Sequence, residues 1–179
     1  MDMMFVALIP LVLFVLVDLK WGMRAGIVTA CVMAVALIAY TWFRTGTIDQ
    51  FLVGETVLIV VMGLVSLRLN ESKFFKMQPV AVGVIFSSVI LWYQFFDEPL
   101  LIKMLPTMYA MMPQLKEFYS SDHALQVLDR LSLVMAITLL VHAALVAWVA
   151  LKKGNVAWIM ARLAIYPMIL IAAILSPLL

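Results

Sequence analysis

The chain has 179 residues, 66% of them hydrophobic and 12% charged, against about 45–50% apolar and roughly 25% charged in a soluble domain. A domain of ~150 residues buries only about 70% of its unfolded-chain surface, so at a mean hydropathy of +1.14 part of the apolar surface must face lipid; a soluble enzyme, a nucleic-acid-binding domain, a disordered chain and a secreted disulfide scaffold are excluded. Twelve Lys and Arg against ten Asp and Glu give a net charge of +2, too weak to point to a polyanionic partner.

A hydrocarbon core of about 30 Å takes ~20 apolar residues at 1.5 Å each. Residues 4–17 fall short of that, are followed by Asp18 and Lys20, and contain Pro10; they read as a short span or a re-entrant helix. No positive charge precedes them and no small-x-small site follows, so a cleavable signal peptide is not expected. Residues 25–43 make a full span around Cys31, the single cysteine. One cysteine precludes an intrachain disulfide or a CxxC pair, and among apolar neighbours it reads as a small buried hydrophobe. Residues 51–67 sit at the lower length limit, with Glu55 near their start. Residues 77–96 form the next span.

The one longer connection runs from Asp97 to Arg130, and residues 99–118 form its interfacial part. Up to Met112 that part is apolar, Met-rich, interrupted by Pro106 and charged only at Lys103, the pattern of a segment lying in the headgroup layer; a loop packed on the helices fits equally well. Ser121 or Asp122 can cap a helix that runs through Leu125 and Leu128 into the span at 131–151. The last span, 156–175, contains Pro167, which predicts a kink. These runs show no alternation, so helices rather than barrel strands satisfy the backbone in lipid. The expectation is an all-α polytopic fold, residues 1–179 forming a single integral membrane domain of five firm spans plus the short first segment.

Ionisable groups inside a bilayer are costly and suggest function by default. His142, near the middle of its span, could relay protons, or sit as a neutral imidazole hydrogen-bonded to a neighbouring helix. With no acidic partner on its own helix, the structural reading weighs more. Arg162 can snorkel toward the Lys152–Lys153 edge; an ion pair with Asp18 or Glu55, or a lipid-headgroup pocket, is the sharper alternative. Trp158, one turn earlier, is placed as an interfacial anchor. Glu55 meets the positive end of its helix dipole, and the Arg68, Glu71, Lys73, Lys76 cluster reads as a solvated loop.

Catalytic signatures are missing: no HExxH, no GxSxG and no phosphate-cradling glycine loop occur. His123 and Asp129 are too few for a metal centre of three or four ligands. Ser87 or Ser88 beside His142 is imaginable as a pair, but no spacing singles it out. The fourteen methionines read as adaptable packing. No cofactor or metal is expected.

Several short motifs follow one another in a set order along the chain. Ile9-Pro10-Leu11-Val12-Leu13-Phe14, Asn70-Glu71 followed by Phe75-Lys76-x-x-Pro79, Pro99-Leu100 with Lys103-Met104-Leu105, and Trp158 with Arg162 together resemble the bacterial intracellular septation protein A family. The departures are Gln78 in place of a basic residue, Leu128-Asp129-Arg130-Leu131-Ser132 and His142-Ala143-Ala144 where the family carries Trp- and Asn-based motifs, and an uncharged end at Ser176-Pro177-Leu178-Leu179. The resemblance implies a non-enzymatic protein of the bacterial inner membrane that supports envelope integrity, membrane homeostasis and septation. Its implied partners are membrane lipids and other inner-membrane envelope or division proteins. It also implies a cytoplasmic C-terminus. Counting basic residues by loop gives the opposite: Lys20, Arg24, Arg68, Lys73, Lys76, Lys152 and Lys153 on one side exceed Arg44, Lys103, Lys116 and Arg130 on the other, placing both termini outside. A small secondary transporter or proton-coupled carrier using His142, Arg162 and Glu55 is the alternative function.

Overall fold

The computed structural model describes residues 13–47, 50–119 and 121–178. Residues 13–21 are helical (α1), followed by α2 (Met23–Thr45), α3 (Gln50–Leu69), α4 (Ser72–Lys76), α5 (Gln78–Phe96), α6 (Leu100–Lys103), α7 (Leu105–Met111), α8 (Leu115–Phe118), α9 (Asp122–Lys152), α10 (Asn155–Leu163) and α11 (Ile165–Leu175). No strand occurs among the described residues. Pro10, with most of the segment 4–17, lies outside them.

Among the described residues, five stretches are long and apolar enough to cross a membrane: Met23–Arg44, Leu52–Leu69, Ser72–Phe96, Asp122–Lys152 and Asn155–Leu175. Only 17% to 33% of each is buried. What faces outward is apolar, for example Val28, Val32 and Val35 on α2, Val57, Val61 and Leu64 on α3, and Leu170, Ile171 and Ile174 on α11. A fold that puts its apolar residues outside as well as inside is stable only in lipid, where helices satisfy every backbone group internally. The all-α, five-span expectation holds.

Several boundaries follow from local chemistry. The Ser121 hydroxyl accepts the Ala124 N–H at 3.2 Å, so α9 starts at Asp122 and runs on into the span, as the capping signal predicts. Its 31 residues measure about 46 Å, more than the hydrocarbon core. The last span is broken at Ala164. Pro167, having no N–H, cannot bond the Leu163 carbonyl, and its ring crowds that oxygen; the interruption therefore falls three residues ahead of the proline. In the 99–118 connection, Pro106 is the second residue of α7, a place where a missing N–H costs nothing. There Leu105 is buried, while Met104 and Met112 are exposed.

Two compact units divide the chain: Met1–Gln78 with Ala147–Trp158, and Pro79–Val146 with Ile159–Leu179. In the first, α2 presents Ile27, Ala30 and Ala34 as its buried stripe. A Cβ at Gly63 of α3 would lie 2.6 Å from the Cys31 Sγ and 3.2 Å from Ile27 Cγ2, so side chains of α2 pack directly against the α3 backbone. Cys31 is half-buried there, its thiol directed at the Ile59 carbonyl 3.8 Å away. In the second unit, a Cβ at Gly83 of α5 would lie 3.3 Å from Ala143 Cβ on α9. Small residues at helix contacts are the usual solution in membranes, where close van der Waals approach replaces the hydrophobic drive.

Candidate functional site

In the first unit, residues far apart in the chain converge at the ends of α1, α4 and α10. The rings of Phe14 and Phe75 lie tilted by 40° with centroids 4.7 Å apart, and Trp158 meets Phe14 edge-on at 5.8 Å. Phe14 and Trp158 are fully buried. Lys76 closes α4, where carbonyls lack an acceptor's usual i+4 donor; the Trp158 indole N–H supplies it at 3.0 Å. Trp158 is therefore no interfacial anchor. Lys76 is likewise not part of a solvated loop: only 6% of it is exposed.

A polar layer lines the aromatic cluster. The Asn155 amide, at the first residue of α10, donates to the Asp18 carboxylate. That carboxylate in turn acts electrostatically on the Lys76 ammonium. Gly22 breaks the chain between α1 and α2 at φ 83°, and its N–H bonds the Asp18 carbonyl at 2.9 Å. Asn70, at φ 55°, adopts the left-handed conformation that closes a helix by the Schellman pattern: the Glu71 N–H reaches back to the Ser66 carbonyl at 3.0 Å, while the buried Ser66 hydroxyl donates to the Glu71 carbonyl. The Asn70 side chain accepts from Arg24 Nε at 3.3 Å. The Asn70-Glu71 motif is thus a turn device, and Arg68, Glu71 and Lys73 stay exposed around it.

The second unit holds three further polar arrangements. His142 is buried, its Nε2 lying 3.1 Å from the Ala161 carbonyl and 3.2 Å from that of Arg162. Two carbonyls can only accept, so Nε2 carries the proton and the ring bridges α9 to the last turn of α10, just before the Pro167 break. Neighbouring side chains that satisfy loosened carbonyls are what make a proline tolerable in a membrane helix. His142→Ala is expected to destabilise the protein by roughly 1–2 kcal/mol, with His142→Gln recovering part of the loss, as read from thermal melts in detergent. A proton-relay role predicts the reverse: unchanged melts and equal loss of function in both variants.

Gln94 donates to the Asp129 carboxylate at 2.6 Å, leaving its own Oε1 buried and without a hydrogen-bond partner among the described residues. Lys103 pairs with Asp97 and lies 4.6 Å above the Tyr93 ring; the Pro99 carbonyl accepts from Ile102 at 2.9 Å and Lys103 at 3.0 Å, starting α6. The hydrogen bond from Lys103 holds the Asp97 carboxyl below its usual range, and Asp97 holds Lys103 above its own. Asp97's contribution is lost only as pH falls through its lowered pKa, and Lys103's only as pH rises through its raised one. The tether therefore persists across the neutral range.

Of the remaining expected site residues, Pro79 is the second residue of α5 and half-buried. Glu55 lies just past the first turn of α3, in the first unit. Arg162 is half-buried and belongs, with His142, to the second. Ser87 is buried and donates to the Val84 carbonyl at 3.0 Å, while Ser88 is exposed; neither bonds His142. Sequence reasoning passed over Asn155 and Gln94. Asn155 follows the Lys153-Gly154 turn and opens a helix, a position where Asn is a recognised start signal; nothing in the sequence marks Gln94.

The profile described as intracellular septation protein A matches residues 3–179. The chain belongs to that family. It is similar to the inner membrane-spanning protein YciB of Methylobacillus flagellatus, 28% identical over 152 residues, 85% of this chain and 79% of that one. The YciB proteins of Nitrosospira multiformis (33% identical, 47% of this chain, 46% of the other) and Acidithiobacillus ferrooxidans (27%, 54% and 52%) match shorter stretches. This chain thus spans about half the length of the first curated relatives it matches. No solved structure matches it significantly. With five membrane-capable helices among the described residues, this family member is a multi-pass protein of the bacterial inner membrane. The family is named for septation and not for a catalytic activity.

Proposed function

We propose that this protein supports septation and envelope integrity without catalysing a reaction, through contacts with membrane lipids and with other inner-membrane envelope or division proteins. Family membership over residues 3–179 carries this reading. The arrangement of the polar residues supports it. Asp18, Asn155 and Trp158 are spent on holding helix ends together, and His142 on holding a broken helix, which leaves them serving shape and not chemistry. A protein of this kind acts by presenting a fixed surface within the bilayer.

The test is deletion of the gene in its own host, followed by measurement of cell length and of survival in detergent. Longer or chained cells with increased detergent sensitivity, both reversed by re-expression, are expected. Unchanged length and unchanged sensitivity would refute the proposal.

A further inference from the structure

The first unit gathers an excess of positive charge at one end. The stretches that meet there, tied by the Arg24–Asn70, Asn155–Asp18 and Trp158–Lys76 hydrogen bonds, carry Lys20, Arg24, Arg68, Lys73, Lys152 and Lys153, together with Lys76. Against these seven stand two acidic residues, Asp18 and Glu71. Glu71 is 3.9 Å from Lys73, and Asp18 is engaged by Asn155. The six other cations are exposed. Two of them sit by exposed tryptophans: Lys20 is 4.6 Å from the Trp21 ring and Lys153 5.7 Å from that of Trp148. Lys–Trp pairs of this kind mark the headgroup level of a bilayer.

Lys76 is the second, independent observation. More than nine-tenths of it is buried, and its ammonium makes no hydrogen bond or ion pair among the described residues. Its stem is packed away while the ammonium tip keeps some accessible surface, and a cation at the rim of a low-dielectric interior favours a nearby counter-charge. Asp18 acts on it only at a distance, and its carboxylate already accepts from Asn155. We propose that this basic end binds the phosphate of an anionic phospholipid, with Lys76 as the inner cation of the site. The ligand chemistry is a phosphodiester held at headgroup depth, where a basic pocket between membrane helices meets its lipid. A soluble protein or nucleic acid would have to approach through the headgroups that Trp21 and Trp148 occupy.

This inference deepens the lipid-contact part of the proposed function, but its test reads binding directly and is independent of any division phenotype. The full-length protein in neutral detergent is titrated with phosphatidylglycerol or phosphatidylethanolamine of identical acyl chains, and bound lipid is counted by native mass spectrometry. Wild type is expected to retain phosphatidylglycerol in roughly tenfold preference. Lys76→Met should bring that preference close to unity, as should the exposed double variant Lys152→Gln/Lys153→Gln, which decides the matter if Lys76→Met fails to fold. Equal retention of the two lipids by wild type, or undiminished preference in the double variant, would overturn the proposal. A third arm adds inorganic phosphate at matched ionic strength: bound lipid should stay, and its displacement by free phosphate would reassign the site to a soluble anion.

Discussion

Trp158→Ala will cause the largest loss of stability of any single substitution in the first unit, about 3–5 kcal/mol. The side chain is fully buried, it closes the aromatic cluster against Phe14, and its N–H is the partner of the Lys76 carbonyl. Removing it opens a cavity and strands a carbonyl in a low-dielectric interior at the same time. The two effects separate in Trp158→Phe, which keeps most of the ring and deletes only the donor; that variant should lose about 1–3 kcal/mol. Equilibrium unfolding in detergent, followed for wild type and both variants, checks the order. If Trp158→Ala unfolds like wild type, the indole is at the membrane interface after all, as its place near the start of a span first indicates.

That contrast shows where sequence reasoning reaches and where it stops. The spans were legible because a hydrocarbon core demands runs of about twenty apolar residues, and few other constraints produce them. Ser121 as a cap and Pro167 as a helix breaker were legible because their chemistry is local. The facing of each helix was not. In a soluble protein the buried side is the apolar side, but α2, α3 and α5 are apolar all round, so hydrophobicity carries no direction. Size carries it instead: the buried positions include Ala30, Ala34, Gly63, Ser66, Gly83 and Ser87. Lys76 and Trp158 were misjudged for the same reason. Each belongs to a type that favours the interface, and only the fold reveals that Phe14 closes over one while the other is more than nine-tenths buried. The septation-family motifs, by contrast, were readable as strings without any account of their use. Three of them, at Phe14, at Asn70 through Lys76 and at Trp158, prove to be parts of one contact.

Gly26→Ala should be the other strongly disruptive change, although it adds a single methyl group. A Cβ there would lie 2.9 Å from the Phe14 carbonyl oxygen and 2.9 Å from Asp18 Cβ. A backbone oxygen cannot rotate aside, so α1 would have to move off α2. Moving α1 withdraws Phe14 from between Phe75 and Trp158 and pulls Asp18 from Asn155, so the cost spreads beyond one contact. Overpacking of this kind costs about 1–3 kcal/mol. Two other glycines calibrate the effect. Gly54 has nothing within 4 Å of its Cβ position, and Gly54→Ala should be neutral or stabilising by up to about 1 kcal/mol through helix propensity. Gly63→Ala meets chiefly the Cys31 sulfur, which can be removed, so Cys31→Ala should rescue most of its loss. Melting midpoints of these variants in detergent test the set. A Gly26→Ala protein that melts with Gly54→Ala would mean that α1 is not seated on α2 as described, and the Phe14–Trp158 contact would fall with it.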